Sequence, residues 1–184
     1  MSSLNFVSRA GEKLQFALEN FQFDVKGKTI ADFGSSTGGF VDCLLQNGAK
    51  KVYSVDTAYG ELAWKLRNDP KVVVLERTNI LHLDSLPEKV DLITIDAGWT
   101  KLELVLEAIK KFLKDKCEII ALLKPHYEAD KRDLRKGVLK EELLNQVKNE
   151  VTQKITSLGF TIKNEIESPI KGGAGNTEYL IYLG

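Results

Sequence analysis

The sequence predicts an α/β fold: an open, mostly parallel sheet with helices on both faces and an antiparallel C-terminal hairpin at one edge. Three observations lead to this class. Apolar runs of strand length alternate with helical periodicity over residues 28–123, as in parallel strands joined by crossover helices. A glycine loop, Asp32-Phe33-Gly34-Ser35-Ser36-Thr37-Gly38-Gly39-Phe40, follows the first apolar strand and opens a helix. Beyond Pro125 the alternation stops, and two late apolar runs flank Pro169, Gly172, Gly173 and Gly175, as in a hairpin.

Taken in order, Ser8 is a good N-cap and is followed by Leu14, Ala17 and Leu18 at helical spacing, which predicts a helix over residues 8–20. Lys28–Phe33 reads as a strand, and Phe40–Gln46 as a helix closed by Asn47-Gly48. Lys51–Asp56 is the next strand, Glu61–Arg67 a helix, and Val72–Leu75 a β-branched run suited to a buried strand. After Leu86-Pro87 come a strand at Val90–Asp96, a helix at Leu102–Leu113 and a strand at Glu118–Leu123. A charged stretch, Asp130–Lys136, leads into a long helix from Lys140 to Ser157, then strands at Phe160–Ile166 and Glu178–Leu183. That makes seven strands; no repeat, low-complexity tract or linker interrupts them, so residues 1–184 read as one domain.

Lys plus Arg (26) equals Asp plus Glu (26), so a nucleic-acid partner must be recognised by local clustering and not by net charge. Cys43 and Cys117 each sit in an apolar stretch, where a thiol behaves as a small hydrophobe, and no Cys/His spacing suggests a metal site. Met1–Phe6 lacks a long apolar run, and no segment approaches the ~20 apolar residues that span a bilayer. The expectation is a soluble, cytoplasmic protein with no membrane partner.

A glycine loop between strand and helix lets backbone amides approach a ligand, and the helix start is positively polarised, so the loop suits a nucleotide-like ligand. Its spacing, Gly34-x-x-x-Gly38-Gly39, departs from the dinucleotide fingerprint G-x-G-x-x-G, which argues against NAD or FAD. Asp56 closes the second strand, where an acid in such sheets binds ribose hydroxyls; the alternative is a solvated turn or helix cap. Asn79 follows the third strand, as an adenine contact or simply a turn residue. Four charged residues, Lys13, Asp96, Lys124 and Glu178, sit on separate predicted elements, each where an open sheet would aim it at one cleft.

Several stretches carry a resemblance: Ser8-Arg9-Ala10-Gly11-Glu12-Lys13-Leu14, the loop Asp32–Phe40, Leu62-Ala63-Trp64-Lys65-Leu66, Glu76-Arg77-Thr78-Asn79, Lys124-Pro125-His126-Tyr127-Glu128 and Ser168-Pro169-Ile170-Lys171-Gly172. They resemble the haemolysin-A-like (TlyA-type) rRNA methyltransferases, a branch of the FtsJ-like 2′-O-ribose methyltransferases, over nearly the whole chain. The resemblance implies a Rossmann-like methyltransferase fold using S-adenosylmethionine. It places the cofactor's methionine part near Asp32 and Gly34, its ribose at Asp56 and its adenine near Asn79, with Ser35, Ser36, Gly38, Phe40, Thr57 and Asp96 completing the expected cofactor set. It also implies a Lys-Asp-Lys-Glu catalytic tetrad on Lys13, Asp96, Lys124 and Glu178. Three departures stand out. The family usually carries a small RNA-binding domain ahead of the catalytic one, whereas this chain begins almost at the catalytic helix. Ala97-Gly98-Trp99-Thr100-Lys101 replaces a pattern near Val-Ser-Phe-Ile-Ser, and His126-Tyr127 stand where glutamine and phenylalanine are usual.

Methyl transfer from a sulfonium requires mainly alignment, but a ribose hydroxyl must lose its proton during attack. Lys124 is the candidate base if its amine is neutral; if it stays charged beside Asp96 and Glu178, it steers the hydroxyl's lone pair instead. For RNA, the expected phosphate-holding rim is Arg9, Lys131, Arg132, Arg135, Lys136 and Lys171, with Trp99 or Tyr127 stacking a base. RNA, rRNA or a ribosomal subunit, is the expected partner. A noncatalytic S-adenosylmethionine-binding or haemolysin-like protein and a small-molecule O-methyltransferase are the alternatives.

Overall fold

The computed structural model describes residues 5–184, the side chain of Lys116 apart; Met1–Leu4, which hold most of the N-terminal segment read above, lie outside the described residues. Seven strands form the main sheet: β1 (Thr29–Phe33), β2 (Lys51–Val55), β3 (Val72–Leu75), β4 (Val90–Ile95), β5 (Leu113–Leu123), β6 (Ile162–Glu167) and β7 (Tyr179–Leu183). Their order is β3-β2-β1-β4-β5-β7-β6. β1 to β5 pair in parallel, and β7 inserts antiparallel between β5 and β6. A small separate hairpin joins Leu134–Arg135 to Val138–Leu139.

Strand alternation sends side chains to two cores. Ala31, Phe33, Ile93 and Ile95 face α4 (Leu102–Ile109) and α5 (Leu144–Ser157), whose Val105, Leu106, Val151 and Ile155 are buried against them. Ile30, Val52, Leu92 and Leu122 face α1 (Ala10–Asn20) and α2 (Gly39–Gln46), with Leu14, Ala17, Phe40 and Leu44 between. Because β1 lies between β2 and β4, the chain leaves β1 toward one edge and returns at β4 toward the other. That reversal opens a crevice at the strands' carboxyl ends, between the loop after β1 and the loop after β4.

Several boundaries differ from expectation. Ser8 does not cap α1; Arg9 occupies the cap position, with no side-chain cap bond, and the first turn closes by Gly11 N–H donating to the Ser8 carbonyl at 3.1 Å. Helix α3 covers only Trp64–Arg67. Its expected first turn is extended because buried Leu62 packs over Gly38 and Ala63 N–H donates to the Thr37 carbonyl at 3.2 Å. β3 is only half-buried, since it is the sheet edge. α4 stops at Ile109; a 3-10 turn follows, and Leu113 already pairs with Val90 as the start of β5. The long helix begins at Leu144 behind a second 3-10 turn over Glu141–Leu143. The hairpin at the edge is as expected. Among the described residues no helix is long and apolar enough to cross a membrane.

Candidate active site

The glycine loop is held in the crevice by backbone geometry that other residues would resist. Gly34 has φ +85°, and a Cβ there would lie 2.7 Å from the Asp96 carbonyl oxygen. The loop after β1 can therefore close onto the end of β4 only without a side chain. Gly38 has φ +94°, and a Cβ would meet Leu66 Cδ1 at 2.3 Å. Between them Ser36 donates its N–H to Asp56 Oδ2 at 2.7 Å and its hydroxyl to Glu61 Oε2 at 3.2 Å, which ties the loop to the end of β2.

This loop lines a cavity of about 460 Å³, whose wall includes the expected Gly34, Ser36, Asp56, Thr57, Asn79 and Asp96. Glu61, Thr78 and Ile80 also line it and were not anticipated. Asn79 uses its Oδ1 to accept from Leu81 N–H at 2.9 Å, so its turn role is realised while it borders the cavity. Asp32, Ser35, Gly38 and Phe40 lie behind the wall. Phe40 belongs to the core beneath α1, Ser35 donates its hydroxyl to the Asp32 carbonyl at 3.0 Å, and Gly38 starts α2. They shape the loop and do not face the cavity, because alternation and the helix start turn them into the protein.

Asp32 is fully buried; its Oδ1 accepts from Thr94 Oγ1 at 2.6 Å, and its Oδ2 has no partner. Burial pushes this carboxyl up to about 7, with Thr94 pulling the other way. Between pH 4 and pH 7 an unfolded chain would lose this proton while the folded chain keeps it. Stability therefore falls as pH rises through that window, by roughly 4 kcal/mol from this group, and levels off above it. Asp32→Asn is expected to unfold near the wild-type temperature at pH 4 and up to roughly 10 °C above it at pH 8. Thermal unfolding of the ligand-free proteins across that range is the check; an offset independent of pH would exclude the assignment.

The four tetrad candidates converge as two ion pairs. Lys13 Nζ lies 2.5 Å from Glu178 Oε2, with side chains only 7% and 4% exposed. Lys124 Nζ lies 2.5 Å from Asp96 Oδ1. The second contact is close but poorly aligned, since Asp96 Oδ1 is buried and accepts no directed hydrogen bond. Burial raises the Asp96 carboxyl, Lys124 and then Lys13 draw it down, and Glu178 raises it, so all four act within electrostatic reach. All four also line a second cavity of about 710 Å³. Asp96, Lys124 and Trp99 border both cavities, so the two spaces meet at the Asp96–Lys124 pair. A Cβ at Gly172 would lie 2.5 Å from Glu178 Oε1, so the hairpin loop also packs directly on this pair.

The expected substrate rim is only partly assembled. Trp99 is 89% exposed at a left-handed φ of +65°, and its ring leans on Tyr127 at 5.1 Å between centroids. Tyr127 lines the larger cavity, and Arg9 approaches Gly173 on its wall. Arg132 instead pairs with Asp130 at 3.3 Å on the surface, and Arg135 is exposed on the small hairpin; neither lines a cavity wall with the tetrad. Lys136 is likewise exposed at that hairpin's turn. Lys171 donates to Thr177 Oγ1 at 2.5 Å and borders a different cavity of about 240 Å³. Each is diverted by a local partner or by the hairpin turn. Lys131, one of the expected rim residues, does line the larger cavity, and Lys101 joins it there.

Sequence reasoning missed Asn176. It is buried, accepts from Leu139 N–H at 3.0 Å and donates to the Gly137 carbonyl at 2.9 Å, fastening the small hairpin over the larger cavity. Its only signal was an asparagine in a glycine-rich loop, which reads as a turn.

A sheet of this order, with a glycine loop at the β1/β4 crevice and a charged wall at the end of β4 and β5, defines a Rossmann-like methyltransferase. Fibrillarin from Aeropyrum pernix, solved with natively bound S-adenosyl-L-methionine, shares the fold at TM-score 0.63 and 18% identity, covering 88% of this chain and 68% of that one. Within this class the chain belongs to the FtsJ-like methyltransferase family, whose sequence profile matches residues 6–184. It is 39% identical over 182 residues to the 16S/23S rRNA (cytidine-2′-O)-methyltransferase TlyA of Mycobacterium tuberculosis, covering 97% of this chain and 68% of TlyA. It is 42% identical over 188 residues to YqxC of Bacillus subtilis, covering 98% of this chain but only 66% of YqxC. A crystal structure of a hemolysin-named protein from Lactococcus lactis superimposes at TM-score 0.94 with 41% identity, covering 98% of this chain and 89% of that one.

S-adenosylmethionine is the cofactor of this family. The residues present fit it: a glycine loop with no room for a side chain, a strand-end acid at Asp56, and a cavity of about 460 Å³ between them and Asn79.

Proposed function

We propose that this chain methylates the 2′-hydroxyl of a ribose in RNA, with rRNA or a ribosomal subunit as acceptor, and so works in the cytoplasm. The observation that carries the reading is the meeting of two cavities at Asp96 and Lys124, with Lys13 and Glu178 also lining the larger one. The name of TlyA supplies the acceptor class. When bound, S-adenosylmethionine supplies an electrophilic methyl on a sulfonium whose departing thioether needs no acid.

Gly34, Ser36, Asp56, Thr57 and Asn79 hold the cofactor in the smaller cavity, and the acceptor ribose enters the larger one. Lys124 holds the hydroxyl at the junction. As the oxygen forms its bond to carbon, its proton passes to the Lys124 amine. That amine must be neutral when attack begins, so the ammonium paired with Asp96 has to give up a proton first. The Lys13–Glu178 pair builds a further part of the larger cavity's wall. Trp99, Tyr127, Arg9, Lys101 and Lys131 receive the nucleotide and its phosphates at the mouth.

Incubation with methyl-labelled S-adenosylmethionine and, separately, ribosomal subunits, total RNA and small phenols tests this. Label on a ribose oxygen is expected. Label on a phenol would indicate a small-molecule O-methyltransferase, and transfer to no acceptor a cofactor-binding protein without this catalysis.

A further inference from the structure

His126 lies in the wall of the larger cavity, two residues beyond Lys124, and the mechanism above does not use it. Its ring leans on Tyr127 at 4.2 Å between centroids, over whose ring the Lys124 ammonium sits at 5.8 Å. Nδ1 is buried with no hydrogen-bond partner among the described residues. Nδ1 is therefore closed to a molecule in the cavity, and Nε2, which is not shut away in this manner, is the ring nitrogen that can hydrogen-bond one. One face of this imidazole is packed on Tyr127. The wall it shares carries Lys13 from α1, Asp96 after β4, Lys101 before α4, Lys124 and Tyr127 after β5, Asp130 and Lys131 before the small hairpin, and Glu178 before β7.

We propose that His126 is an acceptor-binding residue: its uncharged imidazole hydrogen-bonds the nucleoside that carries the reacting hydroxyl and sets it against Lys124. The proposal rests on the RNA-methylating reading above. Burial, with Lys124 and Lys13 nearby, lowers the imidazole's affinity for a proton, while Glu178 favours the charged form. The ring is therefore neutral at neutral pH. Once protonated at acid pH it becomes a competitor of Lys13 for Glu178 and a third cation beside Lys13 and Lys124. Nucleoside capture is then lost.

Three proteins separate this role from packing, all assayed on the RNA that the wild type methylates and all checked for unchanged S-adenosylmethionine affinity. His126→Phe keeps the contact with Tyr127 but has no polar edge; its KM for RNA is expected to rise about tenfold at pH 8, with kcat within about twofold, in keeping with one lost hydrogen bond. His126→Gln, which can donate and accept, is expected to restore KM at pH 8. It is also expected to flatten the rise in KM that the wild type shows on the acid side of the ordinary histidine range. An unchanged KM in His126→Phe, or a His126→Gln profile with the wild-type acid dependence, would overturn the proposal and leave the methyltransferase reading intact. A wild type that methylates no RNA at any pH would overturn both.

Discussion

Lys124→Ala is expected to bind S-adenosylmethionine with nearly wild-type affinity and to lose methyl transfer by roughly 10³-fold or more, within the range for removing a positioned proton acceptor. Lys124 borders both cavities at their junction, while the loop that builds the smaller one is held by Gly34, Ser36 and Asp56 without it. Calorimetric binding and single-turnover transfer of label measure the two effects separately. A second variant distinguishes its chemical role. Lys124→Arg retains a cation beside Asp96, but a guanidinium does not give up its proton in proteins. If Lys124 takes the hydroxyl proton, Lys124→Arg is as inactive as Lys124→Ala; if a cation merely steers the lone pair, it recovers much of the rate. Turnover within tenfold of wild type in Lys124→Ala would remove this residue from the mechanism.

Glu178→Ala is expected to cost about 3–5 kcal/mol of stability, because it strands the Lys13 ammonium in a buried site. For a chain of this size that is a fall in Tm of roughly 6–20 °C. Lys13→Met/Glu178→Met removes both charges with little change of side-chain length, and pairs replaced in this way usually recover most of the loss. The double variant is expected to fold near the wild-type Tm and still to transfer no methyl. Thermal unfolding and label transfer on the same preparations provide the comparison. An active double variant would make the pair a structural tie only, and a stable Glu178→Ala would show that Lys13 finds water.

The contrast between these residues and the substrate rim shows what local patterning can convey. β1, β2, β4 and the glycine loop were legible because alternation, apolar runs and glycine spacing are properties of contiguous residues. Asp96 and Lys124 followed, since each directly succeeds a buried strand that ends at the crevice. Arg132, Arg135 and Lys171 were legible as charges but not as wall residues. Whether a flexible cation faces a cavity depends on the partner it finds, and Asp130 and Thr177 claim two of the three. Phe40 and Asp32 belong to the glycine loop read from the sequence, but neither lines the smaller cavity. Their direction is fixed by how α2 and β4 pack on β1, which the loop's own residues do not encode.

The amino-acid order alone thus settles the alternation of elements, the edge hairpin and the bend that brings backbone amides to a ligand, since each arises within a few consecutive residues. The pairing of Lys13 with Glu178, 165 positions away, the division of the crevice into two chambers at Asp96 and Lys124, and the clasp of Asn176 on the small hairpin arise only when the sheet is assembled. Those contacts join segments far apart along the chain, and a charge's burial, its partner and its proton depend on what folding places around it.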